Sequence, residues 1–154
     1  MKCEIENVVI KEMVRHTDAR GWLMESFRQD ELEEEQYPRM SYISSTEPGQ
    51  VRGPHEHREQ TDLFFFPGEY SFRLYLWDNR ENSSTFGKIC QLDTGSKDLS
   101  VLVPPGVVHA YKNIGATAGL VINAPNRLFK GEGRRGPVDE IRHEDNPDSP
   151  FKVT

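Results

Sequence analysis

Between residues 39 and 124 the chain is cut into short β-prone runs by turn clusters at almost even intervals, and this rhythm constrains the fold more than any other feature. The runs are Met40–Ser45, Leu63–Phe66, Ser71–Trp77, Gly87–Leu92, Leu99–Val103 and Ala118–Asn123. The dividers are Glu47-Pro48-Gly49, Pro67-Gly68, Asp78-Asn79, Pro104-Pro105-Gly106 and Asn113-Ile114-Gly115, all built from residues that favour turns. Six or more strands with no long helical pattern between them predict an all-β antiparallel sandwich or barrel and argue against a parallel sheet. With 154 residues, one domain over residues 1–154 is expected.

The ends of the chain differ from this middle. Gln29 to Gln36 reads QDELEEEQ, which predicts a short acidic helix facing solvent. From Lys130 the tail carries Pro137, Pro147 and Pro150 and few apolar residues, which predicts an irregular segment lying over the barrel or against a partner. Apolar residues make up only 35% of the chain, but 8 Phe, 5 Tyr and 2 Trp supply more aromatic surface than a disordered chain would hold.

Nineteen Lys and Arg against 25 Asp and Glu leave a net charge of −6, so neither nucleic acid nor an anionic membrane is an expected partner. An anionic ligand would need a local cationic pocket. No apolar run approaches the roughly 18 residues that span a bilayer, and the opening Met-Lys-Cys-Glu-Ile-Glu lacks the apolar stretch of a secretory signal, so a cytoplasmic location is expected. Cys3 and Cys90 form no C-x-x-C pair and are expected as two reduced thiols.

Five histidines stand at 16, 55, 57, 109 and 143. In a strand, residues i and i+2 point to one side, so His55-x-His57 would send both imidazoles into one space. The turn at Pro104-x-Gly106 brings His109 to the start of another strand. Three imidazoles with Asp62 could also hold a divalent metal. His16 and His143 have no comparable setting and are expected at the surface. Arg52, beside Gly53 and the paired histidines, suits an oxyanion or phosphate.

Pro104-x-Gly106-x-x-His109-x-x-x-Asn113 resembles the second motif of the cupin superfamily at all of its fixed positions. The first cupin motif is met in part: His55, His57 and Gly68 fit, while Thr61 or Asp62 stands where a Glu belongs. A narrower resemblance is to the dTDP-4-dehydrorhamnose 3,5-epimerase family. Asp18-Ala-Arg20-Gly21-Trp-Leu23-Met-Glu25-Ser-Phe27 is similar to its opening D-x-R-G-x-F-x-E-x-F. Ser44-x-Thr46-x-x-Gly49-x-x-Arg52-Gly53-x-His55, Asp78-x-Arg80 with Ser84-Thr85-Phe86-Gly87, and Pro105-Gly106-x-x-His109-Ala-Tyr111 resemble its later segments.

The resemblance implies a homodimeric cupin jelly roll acting, without a cofactor, on a nucleotide-linked 4-keto-6-deoxy sugar. It makes His55 the base that removes a proton beside the ketone, with Arg52, His57 and His109 contacting substrate. Arg20 and Glu25 would reach the nucleotide across the dimer interface. Three family parts are missing. No lysine falls within Thr61–Leu63, no tyrosine within Ile122–Phe129, and there is no S-x-K-D segment carrying the carboxylate that orients the base. Candidate replacements are Tyr111 as proton donor, with Tyr70 and Tyr75 behind it, and Asp145 as the orienting carboxylate, with Asp139 and Asp148 as alternatives. Two other readings stay open. One is a metal-dependent cupin enzyme using His55, His57, Asp62 and His109; the other is a non-catalytic sugar-nucleotide-binding cupin.

Overall fold

A computed structural model describes residues 3–154. Its strands are β1 (Val9–Glu12), β2 (Arg15–Asp18), β3 (Gly21–Met24), β4 (Tyr42–Thr46), β5 (Val51–Glu56), β6 (Asp62–Phe66), β7 (Phe72–Asp78), β8 (Ile89–Asp93), β9 (Leu99–Val103), β10 (Val107–Asn113), β11 (Gly119–Asn123) and β12 (Ile141–Arg142). Two five-stranded sheets, β1-β9-β6-β11-β4 and β12-β5-β10-β7-β8, form the body, and β2 and β3 make a separate hairpin. Every pairing is antiparallel. The fold is the all-β cupin jelly roll expected from the sequence. β1, β2 and β3 lie outside the runs read from the sequence.

The strands Leu63-Phe-Phe-Phe66 and Leu99-Ser-Val-Leu-Val103 show no polar alternation because both faces of their sheet are covered. Phe64, Phe66, Val101 and Val103 turn inward, where they meet Phe72, Leu74, Leu76 and Tyr111 in the central core. Leu63, Phe65 and Leu102 turn outward and are covered by Met13, Met24 and Leu32 from the N-terminal part of the chain. On the other sheet, Tyr75, Trp77, Val108 and Ala110 turn outward under Phe151 and Val153 of the tail. Each end of the chain therefore seals one outer face of the barrel.

The acidic stretch is not the expected helix but two three-residue 3-10 turns, Gln29–Glu31 and Glu34–Gln36. Leu32 is the one apolar side chain between Gln29 and Gln36, too little for a buried helical stripe, and the run of carboxylates repels itself at helical spacing. The tail is irregular apart from β12 and the short turn Glu132–Arg134, and it lies over the barrel as expected. Among the described residues no helix is long and apolar enough to cross a membrane.

One irregularity arranges the interior. β10 pairs with β5 as His109 to His55 and Tyr111 to Arg52, so β5 spends one extra residue across this step, a β-bulge at Gly53-Pro54. The bulge puts Arg52 and His55, three residues apart, beside inward-facing partners. Gly53 adopts φ +85°, and a Cβ there would lie 2.5 Å from the His109 carbonyl oxygen. Gly53→Ala is expected to lower stability by more than about 2 kcal/mol, read as a fall in the denaturation midpoint. An unchanged midpoint would refute this account of the bulge.

Candidate active site

The barrel opens at one end into a cavity of about 780 Å³. Tyr42 of β4 enters it from one sheet and His55 of β5 from the other, with His57 just past the end of β5, Gln60 and the segment from Pro125 to Glu140 completing the wall. The three imidazoles form a compact group, with ring centroids 4.5 Å apart for His55 and His109 and 5.7 Å for each pairing with His57.

Asp62, 1% exposed, sits beneath this group. Its Oδ2 lies 3.0 Å from His57 Nε2 and 3.2 Å from His109 Nε2, and its Oδ1 accepts from Asn123 Nδ2 at 2.8 Å and Gln60 Nε2 at 2.9 Å. Burial opposes ionisation of Asp62, but the two imidazoles and the charge on His57 outweigh it and hold the carboxyl well below the usual range. Burial likewise works against a charge on His57, yet bonding to Asp62 raises it from 6.5 to about 9. His109 is pushed the other way, first by burial and then by the neighbouring His55. Its Nδ1 is 3.0 Å from the Val107 carbonyl and its Nε2 faces Asp62, so the ring lies between two acceptors. One carboxylate thus holds one imidazolium, at His57.

The tail supplies the other half of the site. The Asp139 carbonyl accepts from His57 Nδ1, and its carboxylate accepts from the backbone N–H groups of Arg58, Glu59 and Gln60, each at 2.9 Å. The Pro54 carbonyl accepts from the N–H groups of His143 and Glu144, and β12 pairs with β5. This docking brings Glu140 and Glu144 to 3.7 and 3.8 Å from His55 Nδ1. Burial opposes the charge on Glu144, but the nearby His55 ring leaves it below its ordinary value.

Several expected residues lie elsewhere. Asp145 does not meet His55: it pairs with Arg142 at 3.0 Å, because the strand pairing of residues 141–142 directs Glu140 and Glu144 to that side instead. Asp139 is spent on the turn after His57, and Asp148 bonds only locally through its N–H to Asn146. Tyr111 is 6% exposed, packs among Phe64, Phe66 and Phe72, and shares a hydrogen bond with Ser44 at 2.9 Å, so it is a core side chain outside the open cavity. Tyr75 faces the tail and donates to the Thr154 carbonyl. Arg52 donates to Thr46 Oγ1 at 3.0 Å and to the Ser45 carbonyl at 2.7 Å, joining the facing edges of the two sheets.

Arg20 is at the tip of the β2–β3 hairpin and pairs with Asp18, while Glu25 and His16 line a separate cavity of about 600 Å³ outside the barrel. His143 is not a free surface residue: its Nε2 is 2.8 Å from Glu56 and its ring meets Phe151. Cys3 and Cys90 are free thiols.

Tyr42, Glu140 and Glu144 were not found from sequence. Tyr42 exposes 45% of its surface, but its hydroxyl accepts from Asn123 Nδ2 at 3.0 Å, and burial of that end pushes its pKa up to about 12. Its place at the start of β4, two residues before Ser44 on the same inward side, was the available signal.

Donor atoms of His55, His57 and His109 lie within 4.8 Å of one another, a spacing that would suit a metal. The donor chemistry does not. Both nitrogens of His57 are engaged, by the Asp139 carbonyl and by Asp62, and an imidazolium has no lone pair to offer. The metal alternative with Asp62 as a ligand is therefore withdrawn.

Comparison with known proteins identifies the family. A family model described as dTDP-4-dehydrorhamnose 3,5-epimerase matches residues 2–135. The chain is 39% identical over 131 residues, 83% of each chain, to a probable low-salt glycan biosynthesis epimerase, Agl13, of Haloferax volcanii. It is 34% identical to the spore coat polysaccharide biosynthesis protein SpsL of Bacillus subtilis, covering 77% of this chain and 78% of that one. A crystal structure of a dTDP sugar isomerase from Desulfovibrio desulfuricans G20 superimposes with a TM-score of 0.79 at 25% identity, over 96% of this chain and 91% of the other. Epimerases of this type act without a cofactor. With a family model spanning most of its length and two curated relatives above 30% identity, the chain belongs to the dTDP-4-dehydrorhamnose 3,5-epimerase family.

Proposed function

We propose that this protein is an epimerase or isomerase of a nucleotide-activated 4-keto-6-deoxy sugar, working without a cofactor in the cytoplasm, with His55 as the base. One observation carries the reading. His55 stands in an open cavity with two tail carboxylates behind it, and the Tyr42 hydroxyl enters the same cavity from the opposite sheet. A 4-ketone acidifies the neighbouring C–H bond. His55 takes that proton, and Glu140 and Glu144 orient the ring and stabilise the imidazolium that results. The His57 imidazolium supplies positive potential for the enolate oxygen, in place of the absent lysine. Tyr42 returns a proton from the other side of the ring, which inverts the carbon.

The test is solvent exchange with a dTDP-4-keto-6-deoxyglucose-type substrate in heavy water. The wild-type protein is expected to place deuterium beside the ketone, and His55→Ala to slow this by about a thousandfold or more. Tyr42→Phe is expected to keep exchange at the abstracted position while losing most inverted product. Undiminished exchange in folded His55→Ala would remove His55 as base. Substrate binding with no exchange in the wild type would favour the non-catalytic cupin instead.

The charge on His57 sets a pH limit. Its proton affinity is raised on folding from 6.5 to about 9, so its contribution to stability is complete below 6.5 and disappears as pH rises through 9. Turnover is expected to fall over the same upper limb. In Asp62→Asn that limb should move down toward 6.5, and a limb that stays at 9 would exclude the His57–Asp62 pair as its source.

The homodimer belongs to this proposal. Arg20 and Glu25 lie away from the His55 cavity, and their hairpin exposes 48% of Trp22 and 62% of Leu23. Mixing inactive His55→Ala with inactive Arg20→Ala subunits is expected to restore roughly a quarter of the activity, since about half the chains then pair across types and one of the two sites in each mixed dimer is intact. No restoration on mixing would mean that each chain completes its own site.

A further inference from the structure

An acidic protein that takes a nucleotide diphosphate must collect positive charge locally, because its overall charge of −6 repels the ligand. The catalytic end of the cavity does not meet this need. Arg52 donates to Thr46 and the Ser45 carbonyl, and both N–H groups of His57 are taken up by Asp62 and the Asp139 carbonyl. The segment that follows β11 is different. Within residues 127–134, Arg127, Lys130 and Arg134 all line the cavity that holds His55 and Tyr42.

These cations are little used within the chain. Among the described residues Lys130 and Arg134 have no ion-pair partner, and Arg127 has only a 3.3 Å contact with Glu59, where both side chains are at least half exposed. Glu132, the one acid of the segment, is drawn off by Arg39 at 2.8 Å. The backbone is shaped to present them. Lys130 and Arg134 adopt φ of +58° and +60°, a left-handed conformation that side-chain-bearing residues seldom accept. The conformation is pinned by Gly136 N–H to the Lys130 carbonyl at 2.6 Å and Arg134 N–H to the Gly131 carbonyl at 3.1 Å. Two cations held in this conformation thus line one cavity together with Arg127.

We infer that Arg127, Lys130 and Arg134 form the binding site for the substrate's diphosphate at the cavity rim. The reading rests on the nucleotide-sugar function proposed above and gives that substrate a direction: sugar toward His55 and Tyr42, diphosphate on the rim. Guanidinium forks at 127 and 134 suit phosphate oxygens in pairs, and the Lys130 ammonium adds a point charge between them in sequence.

The test compares binding of dTDP, thymidine and inorganic pyrophosphate by calorimetry in the wild type, Lys130→Gln/Arg134→Gln, and Arg135→Gln. Arg135 adjoins Arg134 but does not line the cavity, so it reports the loss of charge alone. Loss of two charge-assisted contacts is expected to weaken dTDP and pyrophosphate by at least about tenfold, with thymidine little changed and Arg135→Gln within about twofold of wild type. Equal weakening in both variants would overturn the site in favour of a general field, and so would no weakening in either. Pyrophosphate separates this inference from the function. Binding that depends on Lys130 and Arg134, in a protein that exchanges no keto-sugar proton, would keep the anion site and reject the epimerase reading.

Discussion

Asp62 is a carboxylate sealed inside a β-barrel, and the histidine-lined end of this molecule is arranged around keeping it charged. A buried carboxylate is tolerated only if its oxygens are bonded and its charge is met. Asn123 and Gln60 serve one oxygen, and His57 and His109 face the other. Each partner then fixes something else. Asn123 also holds the Tyr42 hydroxyl, which aims the proposed acid. His57 also donates to the Asp139 carbonyl, which ties down the tail that carries Glu140 and Glu144 to His55. One desolvated charge therefore links the floor, the Tyr42 hydroxyl and the carboxylates behind His55, so changes at Asp62 should couple to all three rather than act on one.

The two ends of the chain have unlike tasks although both cover sheet faces. The N-terminal segment covers Leu63, Phe65 and Leu102 and then projects a hairpin whose apolar residues remain exposed. The tail covers Tyr75 and Trp77 with Phe151 and Val153, and on its way it passes the open end of the barrel. Packing and the lining of the cavity are joined in the tail, since Phe151 packs on Trp77 and on His143, next to the residues of β12 that pair with β5. Among the described residues the N-terminal hairpin has no such internal use for Arg20, which pairs with its neighbour Asp18.

What could be read from the sequence followed the physics of each signal. The turn clusters and the β-prone runs gave the sheet architecture because each turn is specified by its own few residues. His55-x-His57 and the segment Pro104 to Asn113 were legible because period-two alternation and a glycine turn are local rules. The acidic stretch was misread because charge pattern alone does not supply the apolar stripe a helix needs. Asp145 was misplaced for another reason. A carboxylate reaches His55 only through the two-residue pairing of β12 with β5, and no local spacing rule announces a bridge across 85 residues of chain between Glu56 and Ile141. Tyr42 was hidden likewise, since its partner Asn123 is 81 residues distant.

The replacement of the family's lysine is the sharpest chemical consequence of these contacts. Asp62 is an anion within Thr61–Leu63, where the resemblance implies a lysine, and by itself it would repel an enolate. In this barrel the anion does not act alone. By pairing with His57 it raises that imidazole to about 9, so the ring remains cationic at neutral pH and lines the cavity in which the ketone would sit. The positive charge has moved from a flexible side chain to a rigid ring fixed at both nitrogens. A fixed cation of this kind needs no reorganisation as negative charge develops on the substrate, which is the condition under which electrostatic stabilisation lowers a barrier most. It also carries an acidic proton within two pH units of neutrality, which an ordinary lysine does not. The substitution therefore need not silence the site, provided His57 keeps both of its partners.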